Sequence, residues 1–148
     1  MSRLQIGQVL SLMLPLNNSD SNTKLLGTHP YIVFEMDEIS GMVELIQLSS
    51  LDGKEYEALN KHNKVIYKEL PDETVIDKDS IARLNYKITV DLFAGLVQCR
   101  RQKEKLSDQK FNILKDAYIS YQLDNAIEDS NIIYVSEQQL KEFNHRIK

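Results

Sequence analysis

Three side chains that could act on a phosphate group stand at the ends of two predicted strands. His29 comes just before the apolar run 31–34, and Ser49 and Ser50 follow the apolar run 42–48. An imidazole can give or take a proton near neutral pH, and serine hydroxyls can hold a phosphate or a ribose 2′-hydroxyl. The two strand ends are adjacent in a hairpin, so these residues would share one edge of a sheet.

Two lysines would add positive charge beside the same end of the sheet. Lys24 precedes His29 in a polar loop, and Lys54 follows the serine pair. Such cations stabilise charge that develops on a phosphoryl oxygen. The alternative is structural: His29 would bond the backbone of its loop, and the serines would form a turn. Residue types and spacing alone favour this structural alternative.

The apolar pattern predicts a mainly β protein with helices at its C-terminal end. Strands are predicted at 9–14, 31–34, 42–48, 64–67, 74–76 and 81–90, because β-branched and aromatic runs are bounded there by turn residues. The turn residues of segment 37–41 join two of these strands into the hairpin. Segment 51–63 is predicted as a long loop with one helical turn.

Two helices are predicted after the strands. Ser107 is the predicted N-cap of the first, with Asp108 near its positive end. The buried face of that helix would comprise Phe111, Leu114, Ala117, Tyr118 and Tyr121. The second helix begins after Ser136, which Gln139 follows at capping-box spacing. The basic run 100–105, before the first helix, could contact RNA phosphates, but a solvated turn is favoured because Glu104 and Asp108 dilute its charge.

Composition narrows the class of protein. The length of 148 residues suits one domain, and the net charge of −4 argues against a broad nucleic-acid-binding surface, although a local RNA site remains compatible. A single cysteine excludes an internal disulfide and indicates a reducing cytoplasm. No signal-peptide pattern or membrane-spanning apolar stretch is present, so no membrane partner is predicted. No zinc-type spacing of Cys or His occurs, and neither a metal nor another cofactor is predicted.

From about residue 6 to residue 122, the chain resembles the MazF/PemK toxins, which are metal-independent endoribonucleases of bacterial toxin–antitoxin pairs. The order and spacing of short motifs agree with the family better than residue identity does. The motifs are Gly7-Gln8-Val9, His29-Pro30 with the run 31–34, Leu48-Ser49-Ser50, Thr74-Val75-Ile76 and Leu106-Ser107-Asp108-Gln109.

The resemblance implies an α+β fold in which an SH3-like barrel of five to seven strands and a closing helix span residues 1–122. Residues 123–148 would be a C-terminal helical extension of the same domain. A homodimer is implied, as is a cognate antitoxin whose disordered tail folds on the toxin, a protein antitoxin being favoured over an RNA. His29 replaces a family arginine that acts in catalysis, and Ser49 replaces a threonine. Histidine can transfer a proton but cannot supply an always-charged bidentate fork.

Two functions are therefore predicted as alternatives. The first is a cytoplasmic endoribonuclease that cuts single-stranded RNA without a metal, by attack of a 2′-hydroxyl on the adjacent phosphate. His29 would be its acid or base, and Ser49 would position the phosphate. Further substrate contacts would come from Lys24, Ser50, Lys54 and Arg83. The second is a catalytically inactive SH3-like barrel that binds protein or nucleic acid, which the acidic balance and the missing arginine favour.

Overall fold

The computed structural model describes residues 3–16, 24–25, 28–53, 55–68, 75–76 and 78–147. The strands are β1 (Gln8–Leu12), β2 (Pro15–Leu16), β3 (Lys24–Leu25), β4 (His29–Asp37), β5 (Met42–Ser50), β6 (Asn63–Ile66), β7 (Ser80–Arg83), β8 (Lys87–Asp91), β9 (Arg100–Lys105) and β10 (Ile132–Val135). The helices are α1 (Asp108–Asp124) and α2 (Glu137–Phe143), with short 3₁₀-helices at Glu55–Leu59, Ala94–Cys99 and Asp129–Asn131. Of the helices in this described part, none has the length and apolar character needed to cross a membrane.

The hairpin of β4 and β5 is the centre of the main sheet. The two strands are antiparallel, with Ile32 opposite Ile46, and β1 pairs with the other edge of β4. The turn forms as predicted, because the Asp37 carboxylate accepts a hydrogen bond of 2.9 Å from the backbone N–H of Ile39. Gly41 then takes a φ of +70°, which other residue types rarely adopt. The hairpin thus fixes which residues meet at its open end.

The far edge of β5 is shared by two strands. β8 pairs with the first half of β5, and β7 pairs with its last three residues. The predicted strand 81–90 is therefore wrong as one continuous element: it divides into β7 and β8 at residues 84–86. In the other predicted strand of this region, Val75 and Ile76 form a bend, and Thr74 lies outside the described residues.

The predicted class, mainly β with C-terminal helices, is confirmed. The main sheet has eight strands rather than the five to seven expected, in the order β10-β8-β5-β4-β1-β9 with β7 and β6 branching from β5. Within the described residues, β10 and β9 end this order without pairing with each other, so the sheet is open. Two of the eight strands were not predicted as strands from the sequence: β9, predicted as a turn, and β10, which joins the 123–148 extension to the sheet in parallel with β8.

Both faces of the hairpin are buried. Alternate residues of β4 divide between two clusters, with Tyr31 and Val33 in one and Ile32 and Phe34 in the other. The first cluster is covered by β10 and α2, and the second by α1. Apolar contact on both sides holds the central strands rigidly, which matters because the candidate site lies at their ends.

Helix α1 forms as predicted, and the Tyr118 side chain fastens it to the sheet. The Ser107 hydroxyl accepts a hydrogen bond of 3.2 Å from the Lys110 N–H, which confirms the N-cap. Leu114 and Tyr118 are buried, and the rest of the predicted face packs beside them. The Tyr118 hydroxyl donates a hydrogen bond of 2.5 Å to the Glu44 carboxylate on β5.

Replacing Tyr118 with phenylalanine should lower the free energy of unfolding at neutral pH by about 1–2 kcal/mol, because a hydrogen bond to a carboxylate is lost. Burial raises the pKa of Tyr118, and the bond to Glu44 raises it further. The folded protein therefore keeps this proton at a pH, near 10, where the unfolded chain releases it, and stability falls as pH rises from there. Urea unfolding should show that the free energy of unfolding falls less between neutral and alkaline pH in Tyr118→Phe than in the wild-type protein. An equal loss in both would contradict this, and Tyr56→Phe, at an exposed position, is the control.

Besides the pairing of β10 with β8, the buried side-chain amide of Asn144 fastens the C-terminal extension to the sheet. Helix α2 begins at the predicted capping box of Ser136 and Gln139. After it, the Asn144 side chain accepts a hydrogen bond of 2.8 Å from the Met13 N–H and donates one of 3.0 Å to the Met13 carbonyl. It also donates to the carbonyl of Leu140 at 3.0 Å. Asn144 thus acts as a strand partner for the residue that follows β1.

We expect Asn144→Ala to lower the free energy of unfolding by about 2–3 kcal/mol, since several backbone groups lose their partners at once. A urea titration should show a lower midpoint with an unchanged slope. The control is Asn125→Ala, whose amide donates to the Tyr121 carbonyl of the helix that it follows and should cost less. Equal effects of the two substitutions would show that Asn144 does not fasten the extension.

Candidate functional site

A cavity of about 370 Å³ opens where β4, β5 and β7 end. This volume is within the range of small-ligand sites. We call it the strand-end cavity, and its lining combines hydroxyls, an imidazole, two cations and apolar side chains. The lining residues are His29, Pro30, Leu48, Ser49, Ser50, Ile76, Lys78, Ser80 and Arg101.

His29 and Ser49 lie at the same end of the hairpin. Tyr31 is opposite Gln47 in the register of β4 and β5, and each of the two residues lies two positions beyond this pair. On its other side, His29 is the partner of Leu12 in β1. Ser49 is 9% exposed and His29 is half-buried. The two residues therefore stand at the opening of the same cavity, held by strands whose interiors are fully packed.

Two serines lie side by side in the wall of the cavity. Ser50 on β5 and Ser80 on β7 are directly paired, so their side chains share one face of the sheet. The backbone N–H of Asp52 donates a hydrogen bond of 3.2 Å to the Ser50 oxygen, which leaves the hydroxyl proton of Ser50 able to donate to a ligand. The Ser80 hydroxyl donates to the Lys78 carbonyl at 2.9 Å and shapes the wall behind it.

The wall that carries Lys78 is fastened to its surroundings. The Asp79 carbonyl accepts a hydrogen bond of 3.0 Å from the Leu51 N–H, just after β5. The Asp79 carboxylate accepts one of 2.8 Å from the backbone of Lys68. These bonds tie the segment before β7 to the ends of β5 and β6, so Lys78 is presented at a defined position beside the serines.

The described residues that line the strand-end cavity carry positive charge. Lys78 and Arg101 are both exposed, and no carboxylate is among the lining residues in the described part of the chain. The floor is apolar, because Leu48 and Ile76 are almost fully buried. An apolar floor strengthens the attraction of these cations for a bound anion relative to bulk water. The cavity therefore suits a phosphate even though the whole chain carries a net charge of −4.

Sequence reasoning missed the two cations that line the cavity. Arg101 belongs to the basic run that was predicted as a turn, yet it lies in β9, whose Arg100 pairs with Leu10 of β1. The signal was the run itself, since edge strands commonly carry charged side chains. No comparable signal marked Lys78, because its place depends on contacts between segments distant in sequence.

The other predicted substrate contacts are placed elsewhere or lie outside what is described. The Arg83 guanidinium bonds both carboxylate oxygens of Glu57, at 3.2 and 3.4 Å, and the Asn63 side chain at 3.2 Å. It pins the 3₁₀-helix Glu55–Leu59 to β6 and β7 and is not among the residues that line the cavity. Lys24 is described in its backbone only, within β3, and Lys54 lies outside the described residues.

The fold and site together define an α+β protein with an open, mainly antiparallel sheet and, at its strand ends, a cavity whose described lining includes two cationic side chains. Comparison with protein-family models and with curated proteins gives no match. The MazF/PemK-like family therefore stays a prediction, and the chemistry of the strand-end cavity carries the functional proposal.

Proposed function

We propose that the protein is a metal-independent endoribonuclease that cuts single-stranded RNA in the strand-end cavity, as the toxic member of a toxin–antitoxin pair. The open sheet would be a variant of the SH3-like barrel of the MazF/PemK toxins. One observation carries the proposal: Arg101 lines the same cavity as His29, the residue that stands where the family has its arginine.

Arg101 would supply the permanent positive charge that is lost when histidine replaces arginine at position 29. A histidine in place of the arginine preserves proton transfer but removes a permanent positive charge. Arg101 of β9 lines the same cavity as His29 and would supply a guanidinium, and Lys78 would add an ammonium group. Both requirements are met by separate residues, with the permanent charge moved from position 29 to position 101.

The proposed reaction is an internal transesterification. The 2′-oxygen of a ribose attacks the adjacent phosphorus, the bond from phosphorus to the 5′-oxygen breaks, and the products carry a 2′,3′-cyclic phosphate and a 5′-hydroxyl. His29 takes the proton from the 2′-hydroxyl or gives one to the leaving 5′-oxygen, and solvent exchanges the other proton. Arg101 and Lys78 stabilise the charge on the non-bridging oxygens, and Ser49 and Ser50 position the phosphate.

The proposed function also includes the partners that the resemblance to the MazF/PemK toxins implies. The protein would act in the cytoplasm as a homodimer and would be restrained by a cognate antitoxin, which we propose to be a protein with a disordered tail rather than an RNA. A positive cavity without a carboxylate among its described lining residues would also accept acidic side chains of such a tail. This gives the antitoxin a direct route to blocking the cavity.

The experiment that tests the proposal is incubation of the purified protein with a long single-stranded RNA, followed by mapping of the cut ends. We expect 2′,3′-cyclic phosphate and 5′-hydroxyl ends, equal cutting with and without a chelator, and no cutting of the matching DNA, which lacks the 2′-hydroxyl. A parallel preparation of His29→Ala controls for contaminating nucleases. No cutting, cutting abolished by the chelator, or 5′-phosphate ends would each contradict the proposal.

A non-catalytic binding module is the second candidate, favoured by the net charge of −4 and by the replaced arginine. Such a protein would hold a nucleic acid or an acidic peptide in the strand-end cavity without cutting it. The same incubation separates the candidates when a gel-shift measurement accompanies it. Binding of RNA with no cut ends would favour the module, and cut ends would exclude it.

A further inference from the structure

We propose that single-stranded RNA extends from the strand-end cavity along β9, where basic side chains hold the phosphates that flank the cut. The side chains are Arg101, Lys103 and Lys105, which we call the β9 basic row. This inference rests on the proposed function, and it adds a second contact region that makes the substrate an oligonucleotide rather than a single dinucleotide step.

The β9 basic row lies at an open edge of the sheet. β9 ends the strand order, and within the described residues it pairs only with β1. Arg101, Lys103 and Lys105 are all exposed, whereas Arg100 and Gln102 are half-buried. Exposure thus alternates from residue 100 to residue 103, and alternate residues of a strand repeat about every 6.7 Å. That spacing is comparable to the separation of successive phosphates on an extended RNA strand.

A bulge shapes the strand within this row. Leu10 pairs with Arg100 and Gln8 pairs with Lys105, so five steps along β9 match two steps along β1. Bulges bend a strand and redirect its side chains. Here the bulge is held from inside, because the Gln8 side-chain amide, on a residue only 1% exposed, donates a hydrogen bond of 2.7 Å to the Lys103 carbonyl.

The two ends of the β9 basic row are anchored differently. At one end Arg101 is part of the cavity wall, so a nucleic acid seated there meets the row without leaving the protein surface. At the other end the Leu106 N–H donates a hydrogen bond of 2.9 Å to the Gly7 carbonyl and closes the bulge. Continuity with the cavity favours RNA over an unrelated acidic ligand. Charged residues that only protect an edge from aggregation would not need that continuity.

The test compares two double substitutions that remove equal charge. Lys103→Gln/Lys105→Gln removes the lysines of the row, and Lys87→Gln/Lys115→Gln removes two exposed lysines on β8 and α1. We expect the first pair to raise KM about tenfold for an oligonucleotide that covers β9, with kcat and cleavage of a dinucleotide unchanged. The salt dependence of binding should also weaken by a slope of about 1.4, as two phosphate contacts to a single strand predict. The control pair should change neither quantity.

Binding of an uncleavable 2′-O-methyl oligonucleotide keeps this inference separate from the proposed function. Weaker binding after loss of the row lysines supports the β9 contact even when the wild-type protein cuts no RNA, in which case only the proposed function fails. Equal effects of the two double substitutions would overturn the inference. The inference would also be overturned if loss of the row lysines lowered cleavage of the dinucleotide as much as cleavage of the oligonucleotide. A third contrary result would be weaker binding of polyglutamate with unchanged binding of the oligonucleotide.

Discussion

Replacing His29 with alanine should lower kcat/KM for RNA cleavage by about 10²- to 10⁴-fold, the usual contribution of a positioned acid or base. His29 is the one histidine among the described residues that line the strand-end cavity. The loss should fall on kcat rather than KM, because Arg101 and Lys78 still bind the phosphate. The variant should also stop inhibiting growth when it is expressed in a bacterial host.

The control for this substitution is His145→Ala, which removes an exposed imidazole beyond α2 and outside the strand-end cavity. Urea unfolding of both variants shows whether the fold survives, since the free energy of unfolding should change little in each. The pH–rate profile adds a second readout, because loss of a general acid or base removes one limb of the profile. Unchanged cleavage by a folded His29→Ala protein would exclude His29 from the mechanism.

The parts of the fold that were predicted correctly are those that short-range sequence signals determine. The β4–β5 hairpin follows from a turn that Asp37 and Gly41 determine by themselves. The start of α1 follows from Ser107, and the start of α2 follows from the capping box at Ser136. Each signal involves residues within a few positions of each other, so no knowledge of the tertiary structure is needed.

The parts that were predicted wrongly depend on partners far away in sequence. β10 is a short strand whose parallel pairing with β8 spans more than forty residues. The charged residues of β9 predict a solvent-exposed turn, whereas its backbone pairing with β1 makes it a strand. The chain turns at residues 84–86, so that β7 and β8 share one edge of β5. The topology of the whole sheet requires this turn, and the local sequence pattern does not predict it.

The candidate site shows the same division. The hairpin alone brings His29 to the serine pair, and sequence reasoning could place these residues together. The cations could not be placed in that way, because they approach from separate strands. Arg83 has the right chemistry but is bonded to Glu57, whereas Arg101 was interpreted as solvent-facing and lines the cavity. Side chains that converge from distant segments require the topology before their chemistry can be assigned.

Replacing Arg101 with glutamine should lower kcat for RNA cleavage by about 10²- to 10³-fold, the typical loss when one group that stabilises developing charge is removed. Arg101→Lys should retain part of the activity, because it keeps the positive charge and loses only the planar, bidentate fork. The matched control is Arg146→Gln, an exposed arginine in the segment after α2 that is not among the cavity residues. It should cleave RNA at the wild-type rate.

Rescue by guanidinium ion separates a chemical role of Arg101 from a structural one. Arg101→Ala leaves space at the cavity wall, and a low concentration of guanidinium should restore part of kcat by returning the lost charge. The same ion should not restore activity to His29→Ala, because it cannot transfer a proton near neutral pH. If Arg101→Lys and Arg101→Gln lose equal activity and guanidinium rescues neither Arg101→Ala nor His29→Ala, position 101 supplies no charge to the reaction. The arginine of the MazF/PemK toxins would then have no counterpart at position 101, and the non-catalytic binding module would become the better account of the strand-end cavity.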